Sequence, residues 1–487
     1  MSACCRRAFL YGCAGLPLWL AACTPVRNPV TGNLDFTLLD PEEEAKIGRE
    51  EHSKVLAHYG GAYEDPRLQA YVREIGERLV AVSELPGASF TFTLLDSPKV
   101  NAFALPGGYV YVTRGLLALA DDEAELAGVL GHEIGHIAAR HVAKRYDRTV
   151  HTQIAFMSLG ILAYLYLGEM GVRPIEKLAT AWMRMFSREE ELEADELGIR
   201  YLTRAGYDPT AVASLLTAFE QWERVFKDES EQTPSWLASH PSPDARARQA
   251  TKQAASVDAA GERRRDAYLA LIDGMIFGDS PRHGLVLARQ FVHPELGFRF
   301  EVPEGFAIRN SPQYLLARAS DETFLVFDLV RPTPGRTLED HLLTDLYFGR
   351  STGGLERWHT ADGLPVLATP FRARFRGGPI FGVAAIVDDG QETLKRWRLV
   401  APQSDDGVWQ FVRQTTSSYR RLEPAEAAQF RPLRIRVERL AGGESATELA
   451  ARMEVESGAL ELFQILNDYA GPADGVPGRA VKLVTRS

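Results

Sequence analysis

The chain has 487 residues, 45% hydrophobic and 25% charged, with 65 acidic against 55 basic side chains and a net charge of -10. That length provides for roughly two to four domains with a sizeable core. The acidic balance argues against a nucleic-acid binder and names no other partner.

Arg6 and Arg7 precede a short apolar run that closes on Leu20-Ala21-Ala22-Cys23. A positive start, a brief apolar stretch and small closing residues mark a targeting segment outside the fold. The run is short for a membrane span. It resembles a bacterial lipoprotein signal. That resemblance implies removal of residues 1–22 and lipidation of Cys23 as the new N-terminus. With Thr24 rather than Asp in second place, it implies a periplasmic protein on the inner leaflet of the outer membrane. Cys4, Cys5, Cys13 and Cys23 are the only cysteines, all in or at the end of this segment. The body therefore relies on packing and metal rather than disulfides, and its membrane contact is an anchor.

Residues 23–40 read as a tether, turn-rich at 25–32. Residues 41–59 read as a charged amphipathic helix. Asp65-Pro66 starts a second helix with Leu68, Tyr71, Val72, Ile75 and Leu79 at helical spacing. Segments 90–95 and 101–112 alternate, the latter broken by Pro106-Gly107-Gly108, and predict a hairpin. An exposed edge strand of this kind can take a peptide by strand addition, although spacing alone reads as an ordinary hairpin.

Acid at Asp121, Asp122, Glu123 and Glu125 and base at Lys144 and Arg145 bracket the next helix, as its dipole favours. Ala124, Leu126, Ala127, Val129 and Leu130 make it apolar on most sides, as in a buried helix. On it stands Leu130-Gly131-His132-Glu133-Ile134-Gly135-His136-Ile137. His132 and His136 leave the same face one turn apart and can grip one zinc ion, with Glu133 in reach of a water on the metal. The apolar run 154–167 is shorter than a span and reads as a buried helix. Ser187 and Glu190 form a capping box, so a helix starts there and ends near Gly206 and Pro209. Glu191 and Asp195 share one face of it, and Glu193 points elsewhere. Glu191 can be the third ligand, and Asp195 can accept a hydrogen bond from the far nitrogen of a ligand histidine. Ala194 is small enough to let the two helices approach. His141 is excluded as a ligand, because a long-spacing site needs Gly and His where Ala139 and Val142 stand. Ser239-His240-Pro241-Ser242-Pro243-Asp244-Ala245-Arg246 reads as a proline-rich turn before a helix, with His240 in the loop.

Together these stretches resemble the HtpX-like and CAAX-protease-like zinc peptidase family of HExxH gluzincins, especially its periplasmic BepA-like members. The matching motifs are Asn101-Ala102-Phe103-Ala104-Leu105-Pro106-Gly107-Gly108, His132 to His136, Ser187 to Asp195, and His240-Pro241, spanning roughly residues 40–255. The resemblance implies one Zn2+ per chain on His132, His136 and Glu191, with Glu133 as catalytic base. It implies a substrate-binding edge strand at Asn101 and Ala102. It also implies a catalytic-site His240 that either restrains activity or steadies the reaction intermediate. The helical repeats that follow the peptidase region in BepA-like proteins have no counterpart in period here. Two imidazoles and one carboxylate would leave the zinc positive and open, lowering the pKa of a bound water from ~15.7 toward ~7.

Beyond 256–266 and 278–284, both turn-rich, the pattern changes. Alternation at 298–303, 324–330, 382–387 and 409–414, with one helix at 338–346, predicts a small α+β domain with an antiparallel sheet over residues 285–422. Residues 433–484 predict a β-α-α-β unit, with Gly442-Gly443-Glu444-Ser445 turning into its first helix. It resembles a LysM module, which implies peptidoglycan as a partner through residues 432–487. A purely structural cap is the alternative. The expected fold class is α+β: a mainly helical, zincin-like (minigluzincin) peptidase domain with a short sheet over 41–275, then the sheet domain, then the LysM-like module. The expected function is a zinc endopeptidase that degrades misfolded or unassembled envelope proteins. The competing readings are a peptidoglycan-directed zinc hydrolase and a periplasmic chaperone or scaffold whose zinc site His240 keeps latent.

Overall fold

The computed structural model describes residues 24–37, 39–147, 186–226, 236, 239–241, 243–257, 260–319, 323–344, 350–375, 378–401, 406–469 and 475–486. The targeting segment with Cys23, and the apolar run 154–167, lie outside these residues. No described helix is long and apolar enough to cross a membrane.

The stretch read as a tether forms an antiparallel hairpin, β1 (Thr24–Arg27) with β2 (Leu34–Thr37). Helix α1 (Pro41–His58) starts on a capping box between Asp40 and Glu43, and α2 (Pro66–Val82) on Asp65 with Pro66 in its first turn. A three-stranded sheet follows: β3 (Thr91–Leu95), β4 (Ala102–Leu105) and β5 (Tyr109–Thr113), in the order β3-β5-β4. The expected hairpin is the β4–β5 pair, with Ala102 opposite Val112 and Leu105 opposite Tyr109. Its turn is held by Gly107 and Gly108, both in the left-handed region.

After α3 (Arg114–Leu119), Asp122 caps α4 (Glu123–Ala138), the helix that carries both histidines. This helix ends earlier than its charge pattern suggests. Arg140 adopts φ 62°, so the chain breaks there, and a separate helical segment runs from 141 to 147 in a new direction. The Ser187 capping box starts α5 (Arg188–Arg204) as expected. Helices α6 (Ala211–Phe226), α7 (Pro243–Ala255) and α8 (Arg265–Ile272) complete this part, followed by the short strand β6 (Ile276–Phe277).

Helices α4 and α5 cross at small residues. A Cβ at Gly131 would lie 3.3 Å from Gly198 Cα, and one at Gly135 only 3.2 Å from the Ala194 carbonyl oxygen. Backbones that close leave no room for side chains between them. The first turn of α5 is thereby set against the last turns of α4.

Residues 285–421 form an antiparallel unit. The strands β7 (Leu285–Leu287), β8 (Gln290–His293) and β9 (Phe298–Glu301) make one small sheet, joined later by β18 (Arg420–Arg421). The larger sheet has eight strands: β10 (Ala307–Asn310), β11 (Leu315–Arg318), β12 (Phe324–Val330), β13 (Arg350–Ser351), β14 (Glu356–His359), β15 (Pro365–Phe375), β16 (Gly378–Val387) and β17 (Leu394–Ala401). Their order is β10-β11-β12-β17-β16-β15-β13, with β14 also pairing β15. Helix α9 (Leu338–Leu343) covers one face and α10 (Asp406–Ser417) the other. Residues 409–414, read from their alternation as a strand, belong to α10. The buried positions there are Val408, Val412, Thr415 and Thr416, a helical spacing.

The C-terminal residues carry the expected β-α-α-β order: β19 (Leu433–Arg439), α11 (Ala446–Ala450), α12 (Ala459–Asn467) and β20 (Ala480–Thr485). They share a single apolar core with α2, α4, α5 and α6, in which Leu449, Phe463, Leu466, Val481 and Leu483 take part. Strand β19 also pairs with β6. Lys482, fully buried, donates from Nζ to the carbonyls of Ala118, Leu119 and Ala120 at 3.0, 3.3 and 2.7 Å. These carbonyls sit at the C-terminal end of α3, where a cation satisfies orphaned acceptors. Arg265 adds a second clasp, donating to the Ala480 carbonyl at 2.7 Å while gripping Asp121. Removing a buried cation from such a cage strands its acceptors, so Lys482→Met should cost about 3 kcal/mol of stability. A urea melt of full-length protein reads this loss, and an unmoved midpoint would contradict the assigned role.

Candidate metal centre

His132 and His136 project from α4, Glu191 from the first turn of α5, and His240 from the segment before α7. One ligand atom from each lies within 4.8 Å of all the others, and all four residues are buried. His132 Nε2 is 3.0 Å from His136 Nε2 and 3.2 Å from His240 Nδ1. Glu191 Oε1 is 2.9 Å from His240 Nδ1 and 3.5 Å from His136 Nε2. Ligands about 2.05 Å from a tetrahedral zinc stand about 3.3 Å from each other. The observed spacing therefore fits one metal ion, and the N/O donor set suits zinc. Burial, then the neighbouring His132 ring, pushes His136 well below the ordinary histidine pKa, so its imidazole is neutral with a free lone pair. Burial alone would raise Glu191. The His240 ring and the Arg246 guanidinium outweigh that and hold its carboxyl well below the usual range.

Each donor is itself oriented. His132 Nδ1 faces Asp195 Oδ1 at 2.9 Å. A carboxylate only accepts, so the proton sits on Nδ1 and Nε2 is left for metal. Asp195 also receives two hydrogen bonds from Arg246, at 2.7 and 2.6 Å. A third Arg246 nitrogen lies 2.5 Å from Glu191 Oε2. His136 Nδ1 faces His141 Nδ1 at 3.0 Å, and His141 Nε2 meets Glu193 at 3.1 Å. Trp236 stacks on His240 with centroids 4.7 Å apart and directs Nε1 at Glu133 Oε1, 3.3 Å away. Phe186 stacks on His136 at 3.9 Å.

The structure thus brings together His132, Glu133, His136, Glu191, Asp195 and His240. Asn101 and Ala102 are not in the donor group; Ala102 opens β4, an outer strand of its sheet that packs against α4, and Asn101 directly precedes it. Asn101 is buried, with its amide nitrogen donating to Tyr59 and its Oδ1 lacking a hydrogen-bond partner among the described residues. His141 and Glu193 are not in the group of four donors, yet they meet each other behind His136, where His141 touches the far nitrogen of that ring. The break at Arg140 swings His141 round to that side. Sequence reasoning missed Arg246 and Trp236. The signal available for Arg246 was charge: two carboxylates on one buried helix face, Glu191 and Asp195, call for a cation.

A buried helix with a His-Glu-x-x-His motif, and a glutamate from a later helix within reach of both histidines, is the arrangement found in metallopeptidase centres of the gluzincin type. Residues 66–254 match the profile of Peptidase family M48. The beta-barrel assembly-enhancing protease of Yersinia pestis is 33% identical over 198 residues, 39% of this chain and 40% of that protein. The same-named protease of Escherichia coli strain K12 is 32% identical over 196 residues, 39% of each chain. The mitochondrial metalloendopeptidase OMA1 of Schizosaccharomyces pombe is 30% identical over 226 residues, 45% of this chain and 64% of that protein. The chain spans less than half the length of the bacterial relatives it matches. Among solved structures, cyanobacterial PsbP aligns with 30% of this chain at 16% identity and a TM-score of 0.22, too low to define a shared fold.

Arg246 holds two acidic groups of the centre without being a donor. Arg246→Ala should weaken metal binding by about 10- to 100-fold, read by competition with a chromogenic chelator. Wild-type affinity in that variant would show that the guanidinium does not position Glu191.

Proposed function

We propose that the protein is a zinc-dependent endopeptidase whose substrates are misfolded or unassembled envelope proteins, outer-membrane β-barrels among them. The observation that carries this reading is the convergence of His132, His136 and Glu191 around one point, with Glu133 beside it. His132, His136 and Glu191 would hold the zinc. When bound, the ion would supply a Lewis acid that acidifies water and polarises a peptide carbonyl. Glu133 takes the proton of the attacking water and returns it to the leaving amine. Trp236 Nε1 fixes the Glu133 carboxylate, and Asp195 keeps His132 in the tautomer that presents Nε2. Strand β4, which begins at Ala102 just after Asn101, offers an outer edge on which an extended peptide can pair. The substrate class rests on the names of the bacterial relatives and on the lipoprotein-like segment ending at Cys23, which supports a periplasmic, lipid-anchored protein at the outer membrane.

His240 would stand as a fourth donor beside His132, His136 and Glu191, where a catalytic zinc site usually takes water; this supports a resting, self-restrained state. The β-α-α-β order of residues 433–485 supports the LysM-like reading. Its core, shared with the peptidase domain, favours a structural role for it over delivery to peptidoglycan.

Glu133→Gln should keep zinc by elemental analysis and lose at least about a hundredfold in casein cleavage; wild-type turnover in that variant would sink the mechanism. His240→Ala should raise the initial rate of cleavage several-fold with zinc retained. A fall in rate with zinc retained would instead give the ring a part in stabilising the reaction intermediate.

A further inference from the structure

The N-terminal hairpin leaves one face uncovered. In its register Pro25 stands opposite Phe36 and Arg27 opposite Leu34, so these four side chains share a face. All four are exposed, Leu34 at 57% and Phe36 at 68%, and these two are the most exposed large hydrophobic side chains among the described residues. The other face is fastened down. Asn28 donates to the Ala139 carbonyl at 3.0 Å, Asp35 pairs with Lys144 at 3.1 Å, and Thr37 Oγ1 accepts from Arg140 at 3.0 Å. Arg140 is also paired with Glu44 of α1 at 2.8 Å. The hairpin is therefore rigidly joined to the C-terminal end of α4, although exposed apolar side chains of this size are costly in water.

We propose that this face is a membrane-contact surface, and that it seats the peptidase domain on the bilayer that holds the anchor. The proposal rests on the reading of Cys23 as the lipidated N-terminus. Thr24 is the next residue, and consecutive Cα atoms are 3.8 Å apart. An acyl chain on Cys23 leaves no slack. The hairpin must lie at the lipid surface, and the face presented there carries Pro25, Leu34 and Phe36 with Arg27, a cation for anionic headgroups. His136 precedes Ala139 by three residues, about 4.5 Å along the helix axis. The metal centre is thus held close above the membrane in one orientation, and its substrates are polypeptide segments lying at that surface.

The sequence makes the test clean, since every cysteine lies at or before Cys23. The acylated full-length chain carrying Phe36→Cys is labelled with an environment-sensitive fluorophore and placed in vesicles of phosphatidylethanolamine and phosphatidylglycerol. A matched sample carries the label at Tyr314→Cys. Tyr314 is exposed, and its neighbour Gln313 bonds the Ala57 carbonyl at the far end of α1. That end lies roughly 20 Å along the helix from Glu44. The expected result is a blue shift at position 36, with loss of most of its emission to a nitroxide on the lipid acyl chains, and neither effect at position 314. An acylated protein whose position 36 is unquenched overturns the inference and leaves the anchor reading intact. A blue shift without quenching marks a protein partner, such as a second copy, and overturns it as well. Absence of acyl mass on Cys23 removes both readings together.

Discussion

Two helices touching along glycine and alanine are the constraint on which everything else stands. Gly131 and Gly135 on α4 meet Gly198 and Ala194 on α5 at backbone distance. A methyl group added at Gly131, Gly135 or Gly198 would meet the facing helix at 3.1 to 3.3 Å, so one helix would have to give way. Glu191 rides on that contact, because a carboxylate on two side-chain methylenes has little reach to spare. The motif supplies donors, and the crossing brings them to one point.

The second organising feature is charge. Glu133, Glu191 and Asp195 are all buried within one side-chain layer, and Arg246 is the buried guanidinium that reaches two of them. A divalent cation would bring that group of formal charges to zero. Buried charge without such balance is strongly penalised, so an ion held there would add to the stability of the surrounding fold.

What the sequence made legible follows from distance along the chain. His132, Glu133 and His136 stand on one helix at a fixed spacing, and Glu191 with Asp195 repeat that logic on another. Local periodicity finds both pairs. Arg246 and Trp236 reach the site only through the tertiary fold, and nothing in their immediate surroundings announces a partner. The break at Arg140 was hidden because basic residues continue past it and suit a helix end at either position. Residues 409–414 alternate on paper like a strand, but Val412 together with Val408 and Thr416 on either side reveals the four-residue repeat once the window is widened. The apolar hairpin face at Leu34 and Phe36 was invisible for a different reason: four-residue strands carry too few positions for an alternation to stand out.

Lys482 reaches back across more than three hundred and fifty residues to close the carbonyl end of α3, just ahead of the helix with the histidines. Strand β20 fills the same core. The helix that carries the histidines and the last strand of the chain therefore belong to one cooperative unit, so loosening the C-terminal strand loosens the ground under the histidines as well.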